Sequence, residues 1–274
     1  MNRRKYSRAL ISGASRGLGK ALAQECADRG MDLLLVALPG EGLAELGASI
    51  ARKRGVSVDC LEADLTDEGD LDRLRDVIRA KGRPDVLVNN AGVGSVGPFA
   101  ETAIESHEAA IALNALALVR ITRIFLDELE GGGIAGVLNV ASLGAFFPMP
   151  TLAVYSATKS FVLNYSLALG AELGGAVGVS VLCPNAIRTT DAVEDYVDGL
   201  GFIARLACLS PDRIAREAVE GALRGKSVII PGAFNRSLAV AGRLVPRSIA
   251  MRAIRRYWGG FGAPPDPAAE GLRT

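Results

Sequence analysis

Tyr155 and Lys159 stand at i and i+4 of a helical stretch, so their side chains share one face. A tyrosine of unperturbed pKa about 10 is a weak acid and a weaker base at neutral pH. Bringing it to about 7 takes roughly 4 kcal/mol of preferential stabilisation of the phenolate. An ammonium about 4 Å away supplies roughly that much at an effective dielectric of about 20. The pair is adequate for moving a proton to or from a carbinol oxygen, although Y-x-x-x-K alone occurs by chance in many helices. Ser142 follows the apolar run Val137-Leu-Asn-Val-Ala. Its hydroxyl therefore sits at the carboxyl end of a strand, where open sheets bind ligands, and can hydrogen-bond the same oxygen. Asn89-Asn90-Ala91-Gly92 ends another such run, and Asn114 falls in the helical stretch beyond it.

A second cluster suits phosphate. Ser12-Gly13-Ala14-Ser15-Arg16-Gly17-Leu18-Gly19 joins the first apolar run to a helix. Glycines there let backbone amides approach a pyrophosphate at the helix N-terminus. The spacing is G-x-x-x-G-x-G rather than G-x-G-x-x-G, and a glycine-rich turn without a ligand is the alternative. In dinucleotide folds an acidic residue ending the second strand holds the adenine ribose and favours NAD. Here that strand ends Val36-Ala37-Leu38, with no carboxylate. Arg16 offers a guanidinium to a 2′-phosphate. NADP is thus the preferred cofactor and NAD the alternative, with Arg16 as a solvated loop residue the competing explanation.

Composition narrows the remaining chemistry. The 274 residues include one histidine, His107, so a multi-histidine metal site is excluded and no metal is expected. A Ser-His-Asp triad has only that residue to use, and no G-x-S-x-G elbow accompanies it. The four cysteines, Cys26, Cys60, Cys183 and Cys208, lie far apart without a C-x-x-C pair, which argues against a disulfide framework or a thiolate zinc site. With 49% hydrophobic residues and a net charge of +1, the chain is neither disordered nor charged for nucleic-acid binding. The N-terminus is basic but lacks a secretory apolar region, and no run of ~18 apolar residues suggests a membrane span. A cytoplasmic protein is expected.

The elements that must position these residues alternate along the chain. Strands are expected at Ala9–Ser12, Asp32–Ala37, Val56–Leu61, Asp85–Asn89, Gly136–Ala141, Gly178–Leu182 and Ser227–Ile230. They are short, rich in Val, Ile and Leu, and continuously apolar, as strands buried on both faces are. Helices are expected at Lys20–Arg29, Leu43–Arg54, Leu71–Lys81, Ile104–Leu129 and Ser156–Leu173. Gly131-Gly132-Gly133 reads as the C-cap of the fourth. The pattern is that of an α/β fold, a doubly wound parallel sheet of the Rossmann type with helices on both faces.

Taken together, the glycine loop, Asp64-Leu65, Asn89-Asn90-Ala91-Gly92, Asn114, Ser142 and Tyr155-x-x-x-Lys159 resemble the short-chain dehydrogenase/reductase family over about residues 7 to 232. The resemblance implies Tyr155 as general acid/base and Lys159 as the group that lowers its pKa and binds the nicotinamide ribose. It implies Ser142 as the polariser of the substrate carbonyl, and Asn114 as the holder, through its helix backbone, of a water linking Lys159 to solvent. Cofactor contacts are implied for Gly13, Ser15, Arg16, Gly17, Leu18, Gly19, Asp64, Leu65, Asn90, Ala91, Gly92, Pro184, Ile187 and Thr189, besides Tyr155 and Lys159. Asp64 would meet the adenine amino group, Asn90 the adenosine side, and Ile187 and Thr189 the carboxamide. Blander roles compete: Asn114 as a residue of a kinked helix, Asp64 as a helix N-cap.

Two positions depart from the family pattern. Pro184-Asn185 replaces the usual Pro-Gly, and Asn is the non-glycine residue that best tolerates a left-handed turn. Its added side chain is expected to point near the nicotinamide. Leu38 stands where members that use NADP often carry Arg.

A substrate lid is implied at about residues 185–210, and its Tyr196, Leu200, Phe202, Ile203, Leu206 and Leu209 favour an apolar substrate or pack the lid itself. Beyond residue 232 the chain is similar to the branch with a C-terminal extension that includes long-chain ketoacyl reductases. Helices are expected at Ala233–Val245 and Arg247–Tyr257, and Gly221–Pro265 holds eight Lys or Arg without an Asp or Glu. Such a basic extension, residues 233–274, would lie on an anionic membrane, or would cover the cleft or a subunit contact.

The expected function is an NADP(H)-dependent interconversion of a carbonyl and an alcohol on a small apolar ketone or acyl substrate. A homo-oligomer, dimer or tetramer, is expected through the helices holding Asn114 and Tyr155. The alternative is a non-catalytic NAD(P)-binding or membrane-attached interaction protein on the same fold.

Overall fold

The computed structural model describes residues 6–129, 135–185, 187 and 207–244. The triglycine cap, Thr189, most of the expected lid and the second tail helix lie outside the described residues.

Seven strands form one parallel sheet: β1 (Arg8–Ser12), β2 (Asp32–Ala37), β3 (Val58–Glu62), β4 (Val86–Asn89), β5 (Ala135–Val140), β6 (Val177–Leu182) and β7 (Val228–Ile229), in the order β3-β2-β1-β4-β5-β6-β7. The helices are α1 (Gly17–Asp28), α2 (Leu43–Arg54), α3 (Glu68–Lys81), α4 (Ile104–Ile111), α5 (Leu118–Asp127), α6 (Ala153–Glu172), α7 (Pro211–Leu223) and α8 (Ala233–Leu244). A π-helical turn, Ala112–Ala117, joins α4 to α5, and a 3-10 turn, Leu143–Phe146, follows β5.

Successive strand residues point to opposite faces, and both faces are covered. Leu10, Leu34, Leu87 and Val137 pack with Leu74, Ile78, Ile121 and Phe125 on one side. Ile11, Leu33, Leu35 and Leu138 pack with Leu22, Ile214 and Val219 on the other. Burying such side chains contributes roughly 1.5–3 kcal/mol each, which explains why the strands read as unbroken apolar runs. The expected fold is therefore the observed one, with strand ends differing by a residue or two. The helix α7 went unread, although Ser210 caps it by accepting from the Arg213 amide and Pro211 opens it.

A polar ladder crosses this apolar interior. The Asn89 amide donates to Thr122 Oγ1 at 3.0 Å and to Asn139 Oδ1 at 2.9 Å, and the Asn139 amide donates to Ser166 Oγ at 2.9 Å. It ties β4 and β5 to α5 and to α6, the helix that carries Tyr155 and Lys159. The continuous helical stretch Ile104–Asp127 is long and apolar enough to cross a membrane by length and composition, which the sequence reading did not anticipate. Its Ile121, Ile124 and Phe125 are buried in the core beside Leu87 and Val137, the usual place of such a helix inside a sheet protein.

The chain winds outward from β1 in both directions, to β2 and to β4. The crevice at the carboxyl ends of β1 and β4 is the topological switch point at which open sheets bind ligands.

Candidate active site

The glycine loop lies at that switch point, between β1 and the N-terminus of α1. Gly13 has φ +63°, and Gly19 lies so close beneath the loop that a Cβ there would come within 1.9 Å of the Gly13 carbonyl oxygen. Asn90 fastens the loop from β4: its side-chain amide donates to the Ser12 and Gly13 carbonyls at 3.0 and 2.9 Å. Ser12 Oγ accepts from the Asn90 and Ala91 amides at 3.0 and 3.1 Å. Asn90 is thus a brace for the loop. With no acidic residue in the first turn of α1, the loop amides at the N-terminus of that helix fit a pyrophosphate.

Over the β2 side of the loop, Ser15 Oγ donates to the Glu41 carboxylate, and Arg16 Nη2 lies 3.2 Å from Glu41 Oε1. Glu41 was missed because only the residue ending β2 was considered, and Glu41 lies in the turn beyond it. Asp64 follows β3; its Oδ1 accepts from the Thr66 amide and hydroxyl at 2.9 and 2.7 Å. It is not the cap of α3: that role belongs to Asp67, whose side chain accepts from the Asp70 amide at 2.9 Å. The Asp64 amide donates to Asp70, and with Arg73 this holds the Asp70 carboxyl below its ordinary value. Leu65 is buried in the core.

The proton-handling residues gather at the carboxyl ends of β4 and β5. Ser142 leaves β5 in extended conformation and caps the 3-10 turn, its Oγ accepting from the Gly144 amide at 3.1 Å. Tyr155 and Lys159 lie on one face of α6, with Lys159 Nζ 5.8 Å from the Tyr155 ring centroid. Lys159 is buried and donates to the Val140 carbonyl at 3.0 Å. Burial pushes its ammonium down to about 8, against a smaller upward pull from Cys183.

Asn114 is 1% exposed. Its Oδ1 accepts from the Val93 amide at 2.9 Å, and its amide donates to the Val93 carbonyl and to Thr158 Oγ1 at 2.9 and 3.1 Å. It sits in the π-helical turn, a form that recurs at functional sites because it widens the helix and frees backbone groups. Gly92 closes the group: a Cβ there would lie 2.9 Å from Asn114 Oδ1 and 3.3 Å from Lys159 Nζ. Asn114, Lys159, Gly92 and Thr158 are therefore one packed unit, and Thr158 is a member that spacing alone did not reveal.

Pro184 ends the same edge from β6, its carbonyl accepting from the Leu143 amide at 2.7 Å. Ile187 forms an isolated bridge with Leu209. The Asn185 amide turns to α8, where it donates to Asn235 Oδ1 at 3.2 Å. Among the described residues no cluster of metal-ligating side chains occurs.

A family model described as short chain dehydrogenase matches residues 7–199. The probable oxidoreductase EphD of Mycobacterium tuberculosis (strain ATCC 25618 / H37Rv) is 29% identical over 264 residues, covering 90% of this chain and 44% of that protein. The very-long-chain 3-oxoacyl-CoA reductase of Phaeosphaeria nodorum is 36% identical over 192 residues, 68% of this chain and 56% of that one. The chain thus spans about half the length of these curated relatives. Among solved structures, a short-chain dehydrogenase from Sphingobium yanoikuyae in complex with NADPH superposes with a TM-score of 0.74 at 32% identity, covering 91% of this chain and 96% of that chain.

Proposed function

Because the chain belongs to the short-chain dehydrogenase/reductase family, we propose that it is an NADP(H)-dependent oxidoreductase interconverting a carbonyl and an alcohol. The observation that carries this reading is the grouping of buried Lys159 and Asn114 around Gly92, with Tyr155 on the Lys159 face of α6 and Ser142 at the end of β5, on the same sheet edge as a glycine loop fit for pyrophosphate. When bound, the nicotinamide supplies or takes the hydride. Tyr155 gives its hydroxyl proton to the carbonyl oxygen in reduction and takes it back in oxidation. Ser142 hydrogen-bonds that oxygen and orients it. Lys159 in its charged form favours the phenolate and holds the nicotinamide ribose, and Asn114 braces the adjoining Thr158 on α6 and the Val93 backbone beyond β4, with the π-helical backbone as the route to solvent.

Cofactor contacts fall to Gly13, Ser15, Arg16, Gly17, Leu18 and Gly19 at the phosphates, and to Asp64, Leu65, Asn90, Ala91 and Gly92 along the adenosine side. Pro184, Ile187 and Thr189 serve the carboxamide. Arg16 selects the 2′-phosphate, and NADP is preferred to NAD. An apolar ketone or acyl substrate is supported by the kind of relative matched, a long-chain oxoacyl reductase, and by Met149 beside the Ser142 turn.

The proposed division assigns residues 1–232 to dinucleotide binding, with a lid expected at about 185–210, and 233–274 to a basic extension; 188–206 and 245–274 lie outside the described residues. Exposed Ile111, Leu116, Phe161 and Leu167, on the helices that hold Asn114 and Tyr155, suit a homo-oligomer contact. The protein is assigned to the cytoplasm. Membrane contact through the extension is the subsidiary reading, and equal co-sedimentation with anionic liposomes with and without residues 233–274 removes it. The primary test is a titration with NADPH and NADH followed by nicotinamide fluorescence. Tight NADPH binding supports the reading, and binding of neither overturns it.

A further inference from the structure

Asn235 is a polar side chain placed at the buried root of the amphipathic helix α8, 1% exposed. Both of its amide hydrogens are used, and its oxygen accepts a further bond. Its Nδ2 donates to the Ala207 carbonyl at 2.9 Å and to the Pro231 carbonyl at 3.0 Å, and its Oδ1 accepts from Asn185 Nδ2 at 3.2 Å. One side chain thereby joins the turn that leaves β6, Ala207 two residues before the Leu209 bridge, and Pro231 two residues beyond β7. The preceding Gly232 has φ +80°, and a Cβ there would press on Leu209 and approach the Asn235 amide.

The connection reaches the reacting edge of the sheet in one further step. Pro184, next to Asn185, accepts from the amide of Leu143, and Leu143 follows Ser142. Sheet order separates this edge from the phosphate side. The glycine loop, Arg16 and Glu41 lie over β1 and β2, whereas Ser142 and Asn185 leave β5 and β6. A dinucleotide spanning the switch point has its adenosine half on the first side and its nicotinamide half on the second.

We infer that Asn235 is a positioning residue that fixes the Pro184–Asn185 turn, and with it the nicotinamide side of the site, so that the C-terminal helix is part of the active-site scaffold. This rests on the cofactor reading proposed above. The departure from Pro-Gly at residue 185 then has a purpose, since the Asn185 side chain is the handle by which α8 holds the turn.

The test uses full-length Asn235→Ala and Asn185→Ala variants with two probes, NADPH and 2′,5′-ADP, which contains the adenosine half alone. A neutral hydrogen bond contributes about 0.5–1.5 kcal/mol, or roughly 2- to 12-fold in affinity. Asn235→Ala is expected to weaken NADPH about tenfold and to alter the fluorescence of the bound nicotinamide, with 2′,5′-ADP affinity within about twofold of wild type. Equal weakening of both probes, or of neither, overturns the inference. Where Asn235→Ala fails to fold, Asn185→Ala decides, because it leaves the bonds of Asn235 to Ala207 and Pro231 in place. About threefold weaker NADPH with unchanged 2′,5′-ADP supports the inference, and unchanged NADPH overturns it. Wild-type protein that binds neither NADPH nor 2′,5′-ADP overturns the cofactor reading itself and the inference with it, a result separate from the variants' behaviour.

Discussion

Glu41 Oε1 lies 3.2 Å from Arg16 Nη2, so the cation proposed to meet a 2′-phosphate is already paired with a carboxylate. The Arg16 side chain is 59% exposed, and such a pair contributes little to stability. It bears instead on cofactor choice. A 2′-phosphate must displace the Glu41 carboxylate from Arg16 or endure its repulsion, whereas NADH carries no charge there. Glu41→Gln is expected to tighten NADPH about three- to tenfold, in line with surface charge pairs worth about 1 kcal/mol, and to leave NADH within about twofold. Parallel titrations at low and physiological salt check it. Weaker NADH with unchanged NADPH would instead make Glu41 a ligand of the ribose hydroxyls.

The backbone carbonyl of Tyr155 accepts from Thr158 Oγ1, while its ring carries the hydroxyl of interest. Tyr155→Phe keeps the ring and removes the hydroxyl, and with it the proton it would transfer. Turnover is expected to fall about 10²- to 10⁴-fold, the usual worth of a positioned acid or base. NADPH affinity should stay within about twofold. Steady-state assay of ketone reduction beside a fluorescence titration separates the two, and retained turnover would sink the role given to Tyr155.

Lys159 gives the free protein a distinctive pH dependence. Its folded pKa is lowered to about 8 by burial, from an ordinary value of 10.5. Between those two pH values the unfolded chain holds a proton that the folded chain has released, so stability from this group rises with pH. Below about 8 both states are protonated and the full burial penalty is present, on the order of 3 kcal/mol. Lys159→Met removes the charge and keeps the apolar stem. Denaturant unfolding without cofactor should find the variant more stable at pH 7, with its advantage shrinking toward pH 10. An advantage that does not change with pH would contradict a buried, titrating ammonium.

How far the sequence reached depended on the kind of signal. The strand β2 and the helix α2 occupy the residues that the pattern assigns, Asp32–Ala37 and Leu43–Arg54, because Leu-Pro-Gly stops the one and a left-handed Gly55 stops the other. Tyr155, Lys159 and Ser142 were legible because strand ends and helix periodicity fix where they point. Asn114 was recognised, but not the π-helical turn that holds it, since an extra residue in a helix leaves no mark in apolar spacing. Glu41 and Asn235 were illegible for a different reason. Their partners, Arg16 and Asn185, lie far from them in sequence and meet them only once the sheet has set its order.

Gly19 sets two effects of known size against each other. Alanine is the better helix former by about 1 kcal/mol, so on an open helix face Gly→Ala stabilises. At Gly19 the added carbon would stand 1.9 Å from the Gly13 carbonyl oxygen and 2.5 Å from the Asn90 amide nitrogen. Both contacts are far inside van der Waals range, and the first is backbone, so the loop itself must move. Overpacking of this kind typically costs about 1–3 kcal/mol, more than the helix propensity returns. The displaced atoms are those that Asn90 uses to brace the loop, so the damage falls on phosphate binding as well as on stability. Gly19→Ala is expected to lower unfolding stability by about 1–2 kcal/mol and to weaken NADPH more than tenfold. Gly30→Ala serves as the comparison, because Gly30 has φ +79° with nothing within 4 Å of an added Cβ. It should lose stability through backbone strain alone and bind NADPH as wild type does. Equal NADPH affinity in the two variants would show that the close approach of Gly19 to the loop has no part in cofactor binding.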